Sequence, residues 1–369
     1  MKLIRTFHPI GQGAFYTERH FVNGNEFNIV YDCGSFSLKG IKLDRKIKST
    51  FPENYKIDIL FISHFHADHI NGIDILRKHC KIETVVLPLL DIDAKTLLIA
   101  SNYINESVTD IRIIDNPNEY FGNETTVISI SEANIEEGGD GINMEAPIDI
   151  STLKQAGIVN SGNAFVSGLA NHEWYFVPFN YRHISSKIKF IDALSALNLT
   201  LTDIDTIAKI QANKAKIKAA YNSVDGDLNQ NSMLLFSGSN KEESISTFAP
   251  CQNFRFNYRL FNRVDRLNSG CIYFGDIDLK KQDIINNIQV KLANLLPYVG
   301  TIQVPHHGSI HNFDCSILHF SKLMCAIISY GCSNSYGHPS DRVIGDIFSH
   351  SVFPFLVTEN QHSIVIQRK

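Results

Sequence analysis

The sequence predicts an α/β protein whose chemistry is gathered in loops that follow strands. Short apolar runs of strand length alternate along the chain with segments of helical spacing, which excludes a pure sandwich or a pure bundle. Several of the apolar runs also end directly at His, Asp or Asn. The most telling is Ile57-Asp58-Ile59-Leu60-Phe61-Ile62, which leads straight into Ser63-His64-Phe65-His66-Ala67-Asp68-His69.

Further strands are predicted at Thr84–Leu87, Asp110–Ile114, Thr125–Ile130, Trp174–Phe179 and Ser232–Phe236, then at Cys271–Phe274, Thr301–Val304, Cys325–Ser329 and Ser363–Gln367. Helical spacing predicts helices over Ile70–Cys80, Asp283–Leu296, Cys315–Leu323 and Ser340–Phe348. The stretch 131–223 has another texture. Glu136-Glu137-Gly138-Gly139-Asp140-Gly141 reads as an exposed loop, and Ser186–Leu197 and Asp203–Tyr221 read as helices. The expected layout is therefore two halves of one domain, 1–130 and 224–369, separated by an insertion or subdomain at 131–223. Lys209, Lys214, Lys216 and Lys218 fall on the second of its helices. They form either a solvated helix face or an electrostatic guide for an anionic substrate.

With 369 residues and a formal charge of −4, the chain lacks the strongly basic balance of a protein that relies on charge to hold nucleic acid. A local patch or bound cations can neutralise phosphates without it. Met1–His8 contains no signal-like apolar run, and no stretch approaches the roughly 20 apolar residues that cross a bilayer. The seven cysteines are odd in number and contain no CxxC pair. That pattern fits reduced thiols and a cytoplasmic protein without a membrane role.

His64, His66, Asp68 and His69 place four ligand-type side chains in six positions, after a strand and before a helix. Borderline cations such as zinc favour neutral imidazoles, and carboxylates add charge neutralisation. A tight loop can aim His64 and His66 at one cation while Asp68 and His69 turn toward a second. Phe274-Gly275-Asp276 ends another apolar strand, and Pro305-His306-His307-Gly308-Ser309 follows a third. A Gly-Asp pair alone is a common turn signal; its place between two histidine motifs gives it weight.

The series HxHxDH, then Gly275-Asp276, then His306-His307 resembles the metallo-β-lactamase superfamily. So do His8-Pro9-Ile10-Gly11-Gln12-Gly13 and Tyr31-Asp32-Cys33-Gly34, which look like that fold's opening hairpin. The resemblance implies an αββα sandwich with a partly helical insertion, two divalent cations, Zn or Mn, and hydrolysis by a hydroxide that the cations activate. It implies that Asp276 bridges the cations and that either His306 or His307 completes the second site. Asp32 reads as a structural turn residue near the site. Asn231-Ser232, Ser329-Tyr330-Gly331, Asn334-Ser335-Tyr336-Gly337-His338-Pro339 and Thr358-Glu359-Asn360 are similar to the hydrolase domain of the competence DNA-uptake channel ComEC. That similarity implies a DNA nuclease or other phosphodiesterase acting on nucleic acid or another phosphodiester. Asp68 and His338 are then the catalytic candidates, His338 for phosphate binding or leaving-group protonation; the bland alternative for His338 is a structural turn histidine. Asn231 stands where the superfamily's third-motif histidine is expected, and His172 is a possible substitute. A small-molecule ester or lactone hydrolase, and a metal-stabilised interaction module without catalysis, are the competing expectations.

Overall fold

A computed structural model of the chain describes residues 1–105, 110–134, 142, 146–153, 155, 157–167, 174–182, 185–223, 231–249 and 267–369, with only the backbone described at 105, 182, 185–187 and 231. His172 and the predicted loop 136–141 lie outside the described residues, as does the side chain of Asn231.

Two sheets carry the fold. Numbered in chain order, the strands of the first are β1 (Lys2–Phe7), β2 (Phe15–Val22), β3 (Asn25–Cys33), β4 (Lys56–Phe61), β5 (Lys81–Pro88), β6 (Thr126–Ile130), β8 (Gly157–Val159), β12 (Ser244–Phe248), β13 (Leu267–Asn268) and β18 (Val365–Arg368). The second contains β7 (Ile148–Asp149), β9 (Phe165–Val166), β10 (Tyr175–Arg182), β11 (Asn231–Gly238), β14 (Gly270–Tyr273), β15 (Val299–Gln303), β16 (Cys325–Ser329) and β17 (Phe353–Val357). Their spatial orders are 13-12-18-1-2-3-4-5-6-8 and 17-16-15-14-11-10-9-7.

The pleat explains the apolar runs. Along β4, Ile59 and Phe61 face the core between the sheets, while Leu60 and the following Ile62 face the helices outside. A strand buried on both faces has no polar side to show, so its sequence is nearly continuous in apolar residues. Helices α1 (Ile41–Thr50), α2 (Ala67–Ile70), α3 (Ile73–His79), α4 (Ile92–Asn105), α5 (Arg112–Asp115) and α6 (Pro117–Phe121) pack on the outer face of the first sheet. Helices α10 (Gln282–Lys291) and α11 (Asp341–Ser349) pack on that of the second. The four layers form an αββα sandwich.

The segment 131–223 contributes to both sheets: β8 pairs with β6 in the first, and β10 pairs with β11 in the second. Its helices α7 (Ser185–Ala196), α8 (Ile207–Ala212) and α9 (Lys214–Asn222) build a satellite core, in which Ile210, Ile217 and Ala220 meet Leu97 and Ala100 of α4. Lys216 and Lys218 point to solvent from the opposite face.

Three expectations need correction. Asp110–Ile114 is not a strand. The Asp110 carboxylate accepts from the Arg112 backbone N–H at 3.1 Å and nucleates α5, whose apolar residues Ile113 and Ile114 then face the core. Such a short apolar run fits either period, and the side-chain turn decides it. Ile70–Cys80 is broken at Gly72, whose N–H donates to Cys33 O at 2.8 Å, so the chain enters α3 afresh. Cys315–Leu323 forms only a 3-10 turn over Cys315–His319, started by the Asp314 side chain.

Candidate metal centre

Every residue of the centre comes from a loop at the carboxyl end of a parallel strand, where open α/β sheets place their ligands. Strand β3 runs parallel to β4, and β14, β15 and β16 run parallel in the other sheet. Asp32 closes β3, His64–His69 follow β4, Asp276 follows β14, and His306–His307 follow β15. The loops from the two sheets approach closely. Gly275 has φ +58, and a Cβ there would lie 2.9 Å from Ser63 Cβ, so only glycine fits before Asp276.

Asp32, buried and at φ +55, is the hub. Its Oδ1 accepts from the Ser63 N–H at 2.7 Å, and its Oδ2 accepts from Ser63 Oγ at 2.6 Å and from His69 Nδ1 at 2.8 Å. The single Ser63 hydroxyl proton goes to Asp32, so Ser63 Oγ accepts from His64 Nδ1 at 2.8 Å. These bonds assign the tautomers. Both His64 and His69 carry a proton on Nδ1 and turn Nε2 inward. His307 does the same, since its Nδ1 donates to Ser329 O at 2.8 Å.

The inward atoms form two groups, each within 4.8 Å: His64, His66 and Asp276; and Asp68, His69 and His307. Asp276 joins them. Its Oδ2 lies 3.5 Å from His64 Nε2, and its Oδ1 lies 3.3 Å from His69 Nε2. His307 Nε2 is 3.2 Å from Asp68 Oδ2. Two ligands on a tetrahedral zinc, each about 2.0–2.1 Å from it, stand roughly 3.3 Å apart, so the spacing suits a shared cation.

The electrostatics agree with that fit. His64 Nε2, His69 Nε2 and Asp276 Oδ1 are buried with no hydrogen-bond partner, a costly arrangement for polar atoms unless something binds them. Burial, reinforced by the neighbouring His69, lowers His64 to about 4 and leaves its Nε2 lone pair available. Burial would raise Asp276, but His69 and His306 hold its carboxyl well below the usual range. Burial likewise opposes ionisation of Asp68, and the hydrogen bond from His307 more than offsets it. Burial would lower His69 and His307, but Asp276 and Asp32 hold the first well above its ordinary value, and Asp68 and Asp276 raise the second. A cation would displace their inward protons to leave imidazoles and ionised carboxylates as the donor set.

The structure places His306 differently from its neighbour. Both have left-handed backbones, at φ +46 and +56, and the sharp turn sends the two rings apart. His307 joins the second group, while the His306 Nε2 lies 3.9 Å from Asp276 Oδ2 with its side chain 28% exposed. Beyond it, His338 is half-buried, with its ring 5.6 Å from that of His306. Burial and the adjacent His306 lower His338 to about 4.

Two supports were not legible in the sequence. Gln303 Oε1 accepts from the Phe274 and Gly275 N–H groups, each at 2.8 Å, and its Nε2 donates to Val304 O at 2.6 Å. Ser232 Oγ accepts from the Asp276 N–H at 3.2 Å. Together they fix the backbone that carries Asp276. A Gln or Ser inside a strand gives no signal of this kind.

Residues 20–132, which include Asp32 and the HxHxDH motif, match the family model described as the metallo-β-lactamase superfamily. That stretch is therefore similar to the superfamily, and the two-sheet sandwich with its outer helices is consistent with the metallo-β-lactamase fold. No curated protein matches the chain. Among solved structures, the one described as "Crystal structure of unliganded yeast PDE1" is similar at 8% identity and a TM-score of 0.41, over 99% of each chain.

Proposed function

We propose that this protein is a metal-dependent phosphodiesterase, with His64, His66 and Asp276 holding one divalent cation and Asp68, His69 and His307 the other. The observation that carries the proposal is the Asp276 carboxylate, which turns one oxygen to each histidine group, 3.5 Å from His64 and 3.3 Å from His69. Zinc suits the imidazoles and manganese the carboxylates. When bound, the pair would supply Lewis acidity toward a phosphoryl oxygen and an acidified water at neutral pH.

The protein's own residues do the rest. Asp32 and Ser63 keep His64 and His69 from rotating, and Ser329 does so for His307. Asp68, held ionised beside His307, would accept a hydrogen bond from a water acidified by the cations. His306 and His338 line the exposed side of the centre, where a phosphodiester enters. Being neutral at pH 7, His338 is suited to donate a hydrogen bond to a phosphoryl oxygen and less suited to store a proton for the leaving group. The nuclease form of this reading rests on the similarity to ComEC hydrolase domains at Asn231, Ser329–Gly331 and Asn334–Pro339.

The test is hydrolysis of bis(p-nitrophenyl) phosphate and of linear and circular DNA with Mn²⁺ or Zn²⁺, beside Asp276→Ala. The proposal expects metal-dependent cleavage that the variant loses, with the circular substrate separating internal from end-directed attack. Turnover of p-nitrophenyl acetate or a lactone without any phosphodiester cleavage would establish the ester-hydrolase alternative. Bound metal with no hydrolysis at all would leave an interaction module.

A further inference from the structure

Among the described residues, four aromatic side chains are substantially exposed: Phe36, Phe248, Tyr336 and Phe348. Scattered single exposures are ordinary. Two of these four, however, belong to loops that adjoin the metal centre and each other. A Cβ on Gly331, at the start of the Tyr336 loop, would lie 2.5 Å from Ser37 Oγ, next to Phe36.

The Tyr336 loop is rigid by construction. Asn334 donates to Gly331 O and His338 O, each at 2.7 Å, and accepts from the N–H groups of Tyr336 and His338, each at 3.1 Å. One side chain thus fixes four backbone groups, and the exposed ring is not held by burial. Tyr336 is 64% exposed, and it stacks on His338 with centroids 6.0 Å apart and planes at 20°. His338 meets His306 edge-on at 5.6 Å, and His306 reaches to 3.9 Å from the Asp276 carboxylate. A ladder of rings therefore runs from the bridging carboxylate to the surface and ends in an aromatic face open to solvent. Beside it, a pocket of about 530 Å³ is lined by Tyr330, Asn334, His338 and Asp341, among others.

We infer that Tyr336 is a specificity-determining residue: its open face stacks a nucleobase, so the substrate is a nucleoside-bearing phosphodiester. The inference rests on the phosphodiesterase reading of the same site and adds what lies beyond the scissile phosphate. The polar partners for a phosphate would be His306, whose Nε2 lies 3.9 Å from Asp276 Oδ2, and the adjoining His338. A planar base attached to that phosphate then meets a pre-ordered ring instead of water. Stacking needs only a π-face, so the ring confers a preference for nucleotides over base-free phosphates without choosing a base. The pocket volume suits a group of nucleoside size.

Equilibrium dialysis of the metal-loaded protein tests this, with thymidine 5′-monophosphate and deoxyribose 5-phosphate as probes. The wild type should prefer the nucleotide by about tenfold, Tyr336→Phe should keep that preference, and Tyr336→Ala should reduce it to less than about twofold. Equal affinities in the wild type, no binding of the nucleotide, or a preference that survives in Tyr336→Ala would each overturn the inference. Failure of the underlying activity is read separately, since it shows as no hydrolysis of base-free bis(p-nitrophenyl) phosphate by the wild type.

Discussion

Arg5, Glu18 and His20 lie fully buried between the two sheets, and the inward atoms of His64, His69 and Asp276 lie buried in the loops that follow the strands, yet the two groups handle burial in opposite ways. In the first, the charges cancel inside the protein. Arg5 Nε donates to Glu18 Oε1 at 2.7 Å, and its remaining nitrogens reach Ser269 O, Gln367 Oε1 and Ser237 O. Glu18 also accepts from Tyr273 OH at 2.8 Å and Ser237 Oγ at 2.7 Å, and its Oε2 lies 3.0 Å from His20 Nε2. Burial would raise the Glu18 carboxyl, but Arg5 and His20 hold it below the usual range. In the second group the inward atoms of His64, His69 and Asp276 find no such partners. The same cost of burial is met in one place by the protein and would be met in the other by the proposed cations. A closed network serves stability; an open one of the same residue types serves binding.

The contrast breaks first at Asp276. Its replacement by Ala should lower phosphodiester hydrolysis by more than the ~10–100-fold expected from losing a group behind a metal ligand, while urea unfolding stays near wild type. Glu18→Gln should do the reverse. Arg5 is then left buried and unpaired, at a cost of about 3–5 kcal/mol in urea unfolding, with metal content of the folded protein unchanged. If Glu18→Gln leaves the midpoint in place, the closed network is not what the contrast makes it.

A finer probe is Asp32→Asn. Asparagine tolerates the left-handed backbone and keeps one acceptor, but it no longer offers a carboxylate to His69. Cation affinity measured by competition with a chelator should fall by about 10–100-fold. The smallest effect is in pH. Glu18 has a folded value below its ordinary 4.5, so its contribution is present above 4.5 and is lost as pH falls through that folded value. Burial would lower His307, but Asp68 and Asp276 raise it above its ordinary 6.5. In metal-free protein its contribution is therefore complete below 6.5 and is lost as pH rises through the raised value. Urea midpoints of the metal-free protein should then decline at both ends of the range. Adding cation should remove the alkaline decline only, because binding displaces that proton.

How much of this was legible in the sequence follows from spacing. The HxHxDH run announces itself because its ligands are local and follow a buried strand. Asp276 and the His306-His307 pair are separate signals whose meeting depends on strands β14 and β15 lying side by side. The choice between His306 and His307 was not legible, because two left-handed residues in succession fix it. The closed network was invisible: Arg5 and Glu18 are partners across β1 and β2, but Ser237, Tyr273 and Gln367 arrive from distant strands. Asp110–Ile114 misled because a run that short carries no period of its own.

The central claim is one carboxylate shared by two cations, and metal content per chain tests it most directly. Protein equilibrated with Zn²⁺ or Mn²⁺ and freed of excess should hold two cations per chain, and Asp276→Ala should hold fewer than two. The same number in both proteins, or a wild type that retains none, would contradict the account.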